Sequence, residues 1–236
     1  MSETARRVPR RADPFEQAFR LVERSERTNG GIHFGGQRTN PHNGIDLFVP
    51  EGTPIQTPAG RAVLIGTTRE SSPAGRSMGN ALIFFVPGER PYFVALLHLS
   101  PRTFQHLRRS HISIGGEVAA GRSSEGTVVA YAGSSATGPS GPHVHVSATS
   151  EFQFGGKTYT AAEFMERYDR GELPQYLRGK NFFAIMPASR YRNPSSLQGY
   201  LDPAQLMRRQ ELRVASLPAP VMIASREEGR RAALNR

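Results

Sequence analysis

The amino-acid sequence predicts a mainly β protein with an antiparallel, barrel-like core and a helix-containing C-terminal extension. Between residues 31 and 150, short apolar runs alternate with clusters of Gly, Pro, Asn and Ser, which is typical of strands joined by turns. The 236 residues include 24 Gly and 18 Pro, as expected of a loop-rich globular chain. No apolar run approaches the ~20 residues that cross a bilayer, so no membrane span is predicted.

The strands of the core are expected in six places. Each is a short apolar run between turn-forming residues, and Pro50–Pro54 and Val86–Glu89 have the composition of tight turns. Ile112–Val118 resembles a further strand pair broken by glycines. The six expected strands are Gly44–Pro50, Gly60–Gly66, Asn80–Val86, Tyr92–Leu99, Val128–Ala132 and His143–Ala148.

The N-terminal segment, residues 1–30, is charged and is interpreted as a leader, with at most a short amphipathic helix at Phe15–Val22. Its first residues, Met1–Arg11, are polar and Arg-rich and lack the apolar segment of a secretory signal peptide. If the protein acts outside the cytoplasm, we therefore expect another route of delivery.

The C-terminal third has helical signals. Thr160 and Glu163 form a capping box, and Asp202-Pro203 is typical of a helix start, so residues 151–212 are predicted to form an extension with short helices. Residues 213–236 are predicted to be a flexible basic tail. The part of the chain after about Gln205 is therefore expected to be dispensable for any functional site in the core.

The net charge is +10, and of the 30 Lys and Arg residues only Lys157 and Lys180 are lysines. Such a charge favours an acidic partner such as nucleic acid, a membrane surface or a cell wall, and Arg-rich coding in a GC-rich genome accounts for it equally well. The Arg residues are spread along the chain without interleaved aromatics, so no nucleic-acid partner is predicted. The absence of cysteine excludes disulfides and a thiolate metal site.

Five residues form a pattern that packing does not explain: His42, Asp46, His98, His143 and His145. Two imidazoles and a carboxylate hold a divalent metal while leaving a position for water, which is the ligand count of a catalytic zinc site. The other two imidazoles are then available for proton transfer.

The local spacing of these residues supports the same interpretation. His143 and His145 alternate with Val144 and Val146, so both imidazoles project from one face of a strand, with Cβ atoms within ~7 Å of each other. A chance pair of surface histidines is the alternative. His98 ends the most apolar run of the chain and, taken alone, is a half-buried structural residue. His33, His106 and His111 have no partner pattern and are interpreted as surface or loop residues.

Taken in order, these motifs resemble the lysostaphin/LytM-type zinc endopeptidases over about residues 32–149. A middle His-Leu-Ser and a His-x-His preceded by Gly-Pro make the joint match specific. Two features depart from the family pattern: Ser147-Ala148 replaces an acidic residue that commonly follows the His-x-His strand, and the span from Arg38 to His42 is short. The matching segments are Phe34-Gly35-x-x-Arg38, His42-x-Gly44-Ile45-Asp46-Leu47, Pro50-x-Gly52-Thr53-Pro54-Ile55, Gly79-Asn80, His98-Leu99-Ser100 and Gly138–His145.

The resemblance implies a LytM-like zinc peptidase core at residues 31–150. It implies one zinc ion per chain held by His42, Asp46 and His145, with His98 and His143 as the catalytic pair and no other cofactor. It also implies hydrolysis of peptide cross-links in bacterial peptidoglycan. The composition leaves open which wall type is cut, although the absence of a wall-targeting module favours D-alanyl cross-links of a diaminopimelate-type wall.

Two other functions stay open at this point. A catalytically inactive relative would bind peptidoglycan or activate an amidase, although such proteins typically lose ligands and all five positions are filled here. A non-haem iron oxygenase also uses two His and a carboxylate, but this would leave His98 and His143 without a role.

The resemblance implies a protein that acts on the cell wall, in the periplasm or outside the cell, and the lack of a signal peptide and the basic C-terminal region favour delivery as part of an assembly. Delivery is then expected as a component of a virion or injection system, or by another secretion route. The C-terminal region is the expected contact with a phage-tail or secretion-assembly protein.

Overall fold

A computed structural model describes residues 13–28, 31–36, 41–57, 59–119, 127–137 and 140–212, all of which lie in one compact unit. Arg38, Gly138 and Pro139 of the resemblance motifs and the predicted tail at 213–236 lie outside the described residues. The strands are β1 (Ile45–Leu47), β2 (Pro54–Gln56), β3 (Arg61–Thr68), β4 (Asn80–Val86), β5 (Tyr92–Leu99), β6 (Glu117–Ala119), β7 (Val128–Tyr131), β8 (Val144–Thr149), β9 (Glu151–Phe154), β10 (Lys157–Thr160) and β11 (Tyr200–Leu201). The helices are α1 (Pro14–Thr28), α2 (Gly75–Met78), α3 (Arg102–Arg109), α4 (Ala161–Asp169), α5 (Leu173–Leu177), α6 (Ala188–Arg192) and α7 (Pro203–Arg208).

The prediction of a mainly β, antiparallel fold is confirmed. Six strands follow the order β1-β8-β5-β4-β3-β6, and β11 also pairs with β8 to make a seven-stranded sheet. Within the described residues the sheet is open rather than closed into a barrel, because β2 and β7 pair with each other in a separate two-stranded sheet. All six expected strands are present; Asn80–Val86 and Tyr92–Leu99 have the expected ends, and the other four are shifted at one or both ends.

One expected strand pair is absent. Residues 112–116 make turns, with Gly115 in the left-handed region at φ 85°, and only β6 that follows them pairs with β3. The glycines therefore mark a turn between α3 and β6 rather than a break within two strands.

The alternation of side chains gives the sheet two buried faces. On β5, Val94 and Leu96 lie in one apolar cluster, whereas Phe93 and Ala95 lie in a second cluster on the opposite face. This near-continuous apolar sequence reads as a strand covered on both sides. What covers each face decides where a substrate can reach the sheet.

Helix α1 covers part of the first face, so the interpretation of residues 1–30 as a leader is wrong for the part that the structure describes. Phe15, Ala18 and Val22 recur at helical spacing and are buried in the same cluster as β1 and β8. The charged residues between them lie on the outer face of the helix. Because they make the segment charged on average, its composition does not reveal the apolar face.

The extension covers the second face. Phe152 of β9, Phe164 of α4 and Phe182 pack with Phe85 and Phe93 of the sheet. The predicted helix starts are confirmed: α4 begins at a capping box of Thr160 and Glu163, and Asp202 caps α7. The predicted boundary of the peptidase core near residue 150 stays a prediction. Among the described residues, no helix is long and apolar enough to cross a membrane.

A shortened chain that ends at Gln205 is expected to be unstable, contrary to the expectation from composition. Leu206 and Leu212 are buried in the first cluster, and the Tyr92 hydroxyl donates to the carbonyl of Glu211 at 2.8 Å. Loss of two buried leucines costs roughly 4 kcal/mol or more. Denaturant unfolding of chains ending at Gln205 and at Leu212 measures the difference, and equal midpoints would contradict this packing.

Candidate metal centre and catalytic cleft

The five residues predicted from the sequence lie together at one end of the sheet. Asp46 of β1 and His145 of β8 are direct cross-strand partners, and Leu97, the neighbour of His98, pairs with His145 from the other side. His42 lies in the loop before β1, and His143 directly precedes β8. The sheet therefore gathers residues that are up to 103 positions apart in the sequence.

Three ligand atoms converge on one point. Asp46 Oδ1 lies 2.9 Å from His145 Nδ1 and 3.3 Å from His42 Nε2, and the two nitrogens are 3.1 Å apart. A tetrahedral zinc with bonds of 2.0–2.1 Å separates its ligands by about 3.3–3.4 Å, so this set fits such an ion with little adjustment. The three residues are buried, at 3%, 4% and 7% exposure for His42, Asp46 and His145.

A second layer fixes which nitrogen of His42 faces the centre. Its Nδ1 lies 3.0 Å from the backbone carbonyl of His33, and a carbonyl only accepts, so Nδ1 carries the proton and Nε2 presents its lone pair. The His33 side chain is itself buried, with Nδ1 3.2 Å from the Ser25 hydroxyl of α1. The interpretation of His33 as a surface residue is therefore wrong, since its main chain orients a metal-ligand candidate.

The Asp46 carboxylate is held in its ionised form. Burial by itself would raise its pKa, but hydrogen bonds with His145 and His42, together with their charges, outweigh burial and hold the pKa well below its usual range. A buried carboxylate that stays ionised beside two imidazoles is suited to bind a cation.

Gly44 makes room for this arrangement. A Cβ atom at residue 44 would lie 2.3 Å from the carbonyl oxygen of Val146 and 2.7 Å from His145 Nε2. Any side chain here would displace either β8 or the imidazole. The glycine of the His-x-Gly-Ile-Asp motif thus has a steric reason that the sequence does not reveal.

His98 stands beside the metal-ligand set in an unusual backbone conformation. Its φ of 63° is rare for a residue other than glycine and turns the chain at the end of β5. Its Nδ1 lies 2.9 Å from the carbonyl of Ser135 and so donates, which leaves Nε2 as the acceptor. Burial, followed by the charges of His145 and His143, lowers the pKa of His98 to about 4, so the ring is neutral near pH 7.

A buried hydrogen-bond network holds the backbone around His98. The Asn80 side chain donates to the carbonyl of Leu99 at 3.0 Å and accepts from the backbone N–H of Glu70. The Ser135 hydroxyl donates to the same Leu99 carbonyl and accepts from the N–H of Asn80. These bonds stabilise the strained turn at residue 98. The sequence indicated Asn80 only as part of a motif and gave no signal for Ser135.

His143 is oriented in the same way. Its Nδ1 donates to the carbonyl of Gly141 at 3.0 Å, and its Nε2 lies 3.8 Å from Asp46 Oδ1. Its ring centroid is 4.7 Å from that of His98 and 5.1 Å from that of Phe48. His98 and His143 therefore form a pair of adjacent imidazoles beside the ligand set, with Nε2 of His143 directed towards Asp46.

A cleft of about 370 Å³ opens beside these groups. His42, His98 and His145 lie at one end of it, and β4, β5 and β8 supply its floor. Part of its wall comes from residues 183–186 and Tyr200, which belong to the extension. Sequence reasoning missed this contribution, because these residues are distant in sequence and belong to no motif.

No protein-family model and no curated protein sequence matches the chain. Solved structures do match it. LytU is 20% identical, with 57% of this chain and 82% of that one covered and a TM-score of 0.38. A mutant of the catalytic domain of the prophage-encoded M23 protein EnpA from Enterococcus faecalis is 23% identical, with 54% and 81% covered and a TM-score of 0.35. The antimicrobial peptidase lysostaphin from Staphylococcus simulans is 19% identical, with 60% and 50% covered and a TM-score of 0.36.

Lysostaphin is one of the two proteins after which the family resembled by the sequence motifs is named. A function for this chain follows from the side chains of the site.

Proposed function

We propose that this chain is a zinc-dependent endopeptidase that hydrolyses peptide cross-links of bacterial peptidoglycan. The observation that carries the proposal is the convergence of His42 Nε2, Asp46 Oδ1 and His145 Nδ1 within 3.3 Å of one another, beside the imidazoles of His98 and His143. The substrate class comes from the resemblance of the motifs to lysostaphin/LytM-type enzymes.

The donor set suits the metal, and the remaining groups suit the reaction. Bound zinc lowers the pKa of a water molecule and polarises the carbonyl of the scissile bond. His42, Asp46 and His145 would hold the ion. His98 and His143 each present a bare Nε2, so one imidazole takes the proton of the attacking water and the pair returns a proton to the leaving amine.

Digestion of defined muropeptides tests this function. The zinc-loaded protein is incubated with purified cross-linked muropeptide dimers from a diaminopimelate-type wall and, separately, with pentaglycine-bridged dimers, and the products are weighed by mass spectrometry. We expect a gain of one water per cut and loss of the cross-link, abolished by a chelator and restored by zinc. Binding of intact dimers without any product would instead support an inactive relative, and activity that requires iron and oxygen would support an oxygenase.

We also propose that the enzyme acts on the wall in the periplasm or outside the cell, carried by a virion, an injection system or another secretion route. The cell-wall substrate supports this site of action. Partner contact through the basic C-terminal region belongs to the same proposal. Detection of the chain in purified virions or in the periplasmic fraction of producing cells tests the route, and recovery from the cytoplasm alone would contradict it.

A further inference from the structure

Residues 181–187, here called the strap, cross the second face of the sheet beside the cleft. The strap is attached along its length to β3 and β9. The Asn181 side chain bonds both the N–H and the carbonyl of Thr67, and the N–H of Phe182 donates to the carbonyl of Ile65. The Thr68 hydroxyl donates to the carbonyl of Phe183, and the N–H of Gln153 donates to that of Met186.

The contact between strap and sheet is made at backbone distance. A Cβ atom at Gly66 of β3 would lie 1.8 Å from the carbonyl oxygen of Phe182, so only glycine permits this approach. The Phe182 side chain is buried at 1% exposure among Phe152, Phe154 and Tyr159. The strap is therefore packed against the sheet as an integral part of the fold.

The register of β5 and β8 shows how far the cleft extends from the metal-ligand candidates. Among the pairs whose side chains face the second side of the sheet, the first is Leu97 with His145, the second is Ala95 with Ser147 and the third is Phe93 with Thr149. The first two pairs line the cleft. Both residues of the third pair are 0% exposed.

Aromatic residues of the extension close the cleft at that third pair. The rings of Phe93 and Phe152 meet edge to face at a centroid distance of 4.8 Å, and Tyr200 of β11 pairs with Thr149. Each strand residue advances by about 3.4 Å, so the last pair that lines the cleft lies about 7 Å beyond His145, or two residues of an extended peptide, and the buried pair of Phe93 and Thr149 lies about 14 Å beyond it. The cleft is blind on this side.

The lining of the blind side has a definite chemistry. The floor presents Ala81, Ala95 and Ser147, and the strap adds Phe183 and Ile185. Apart from the histidines of the site and the phenol of Tyr200, no ionisable acid or base is among the described residues that line the cleft. Small, uncharged side chains such as those of alanine and glycine fit such a lining, whereas a charged side chain would lose its hydration without a partner.

We propose that the strap and β9 make the cleft blind, so that the enzyme accepts at most about two residues, with small uncharged side chains, on one side of the scissile bond. This inference rests on the proposed endopeptidase function and specifies the substrate for the same site. The substrate is then a peptide branch that ends close to the bond that is cut, and the other side of the bond carries the continuing chain.

Synthetic peptides of graded length test the blind end. All peptides contain the bond that is cut in muropeptide dimers. In the first series one to four residues precede this bond and the residues after it are constant; in the second series one to four residues follow the bond and the residues before it are constant. We expect kcat/KM to fall about tenfold or more at the third residue in one series and to change less than about threefold in the other. Equal tolerance of three and four residues in both series would overturn the proposal.

A variant of the strap provides a readout that does not depend on cleavage. The chain has no tryptophan, so Ala184→Trp places one fluorophore in the wall of the cleft, and Leu21→Trp places one on the exposed face of α1 as the matched control. We expect peptides with two residues on the blind side to change the fluorescence emission of Ala184→Trp, and peptides with three residues on that side to leave it unchanged. Neither peptide should change the emission of Leu21→Trp. If the two-residue peptides bind, the three-residue peptides do not, and neither peptide series is hydrolysed, the peptidase function alone is refuted. Equal binding of two-residue and three-residue peptides would refute the blind end.

Discussion

Asp46→Asn is expected to lose the metal and, with it, hydrolysis. The substitution keeps the volume of the side chain but removes the charge that Asp46 directs at His42 and His145, from which its Oδ1 lies 3.3 and 2.9 Å. Because three protein ligands leave no redundancy, metal content should fall from about one per chain to below about a tenth. His42→Ala and His145→Ala should give the same result. Metal analysis after dialysis and assay on muropeptide dimers measure both effects.

The matched control for these variants is His111→Asn. His111 is exposed, does not line the cleft and lies at φ 54°, a conformation that asparagine tolerates, so this variant loses one imidazole without added strain. We expect it to keep both metal and activity. Full zinc content in Asp46→Asn, or an equal loss in His111→Asn, would contradict the assignment of the ligands.

The sequence predicted most of this site because the chemistry needs specific residue types at short spacings. His143 and His145 alternate with buried valines, so the strand period alone places both imidazoles on one face. The cross-strand pairing of Asp46 with His145 then completes the set. The ligand roles themselves came from the resemblance, and the distances between the three ligand atoms support them.

The parts that the sequence did not predict depend on long-range packing. Helix α1 looked like a leader because its charged residues outnumber the four apolar residues that pack, and the role of His33 is carried by a backbone carbonyl that any residue possesses. The wall of the cleft at residues 183–186 has no motif. Its position follows from the contact between Phe182 and Gly66, two residues that are far apart in the chain.

His98→Asn is expected to keep the metal and to lose most of the rate. The imidazole of His98 is outside the three-residue ligand set. Its Nδ1 carries the proton and donates it in a hydrogen bond to the carbonyl of Ser135, so Nε2 is unprotonated and can accept a proton. Removing a positioned acid or base lowers kcat by about 10²–10⁴-fold. His143→Asn should behave similarly, since its Nδ1 is held by the carbonyl of Gly141. Zinc content and kcat on the same muropeptide dimer are the paired measurements.

The choice of asparagine separates catalysis from backbone strain at residue 98. His98 has a φ of 63°, where Ala costs more than Asn, so His98→Ala combines the loss of the imidazole with a destabilised turn. If the role is proton transfer, His98→Asn and His98→Ala should have similarly low kcat, although only the alanine variant should melt earlier. If the histidine serves only to hold the turn against Ser135 and Asn80, His98→Asn should retain near-normal turnover, and the proposed pair of His98 and His143 would then be wrong.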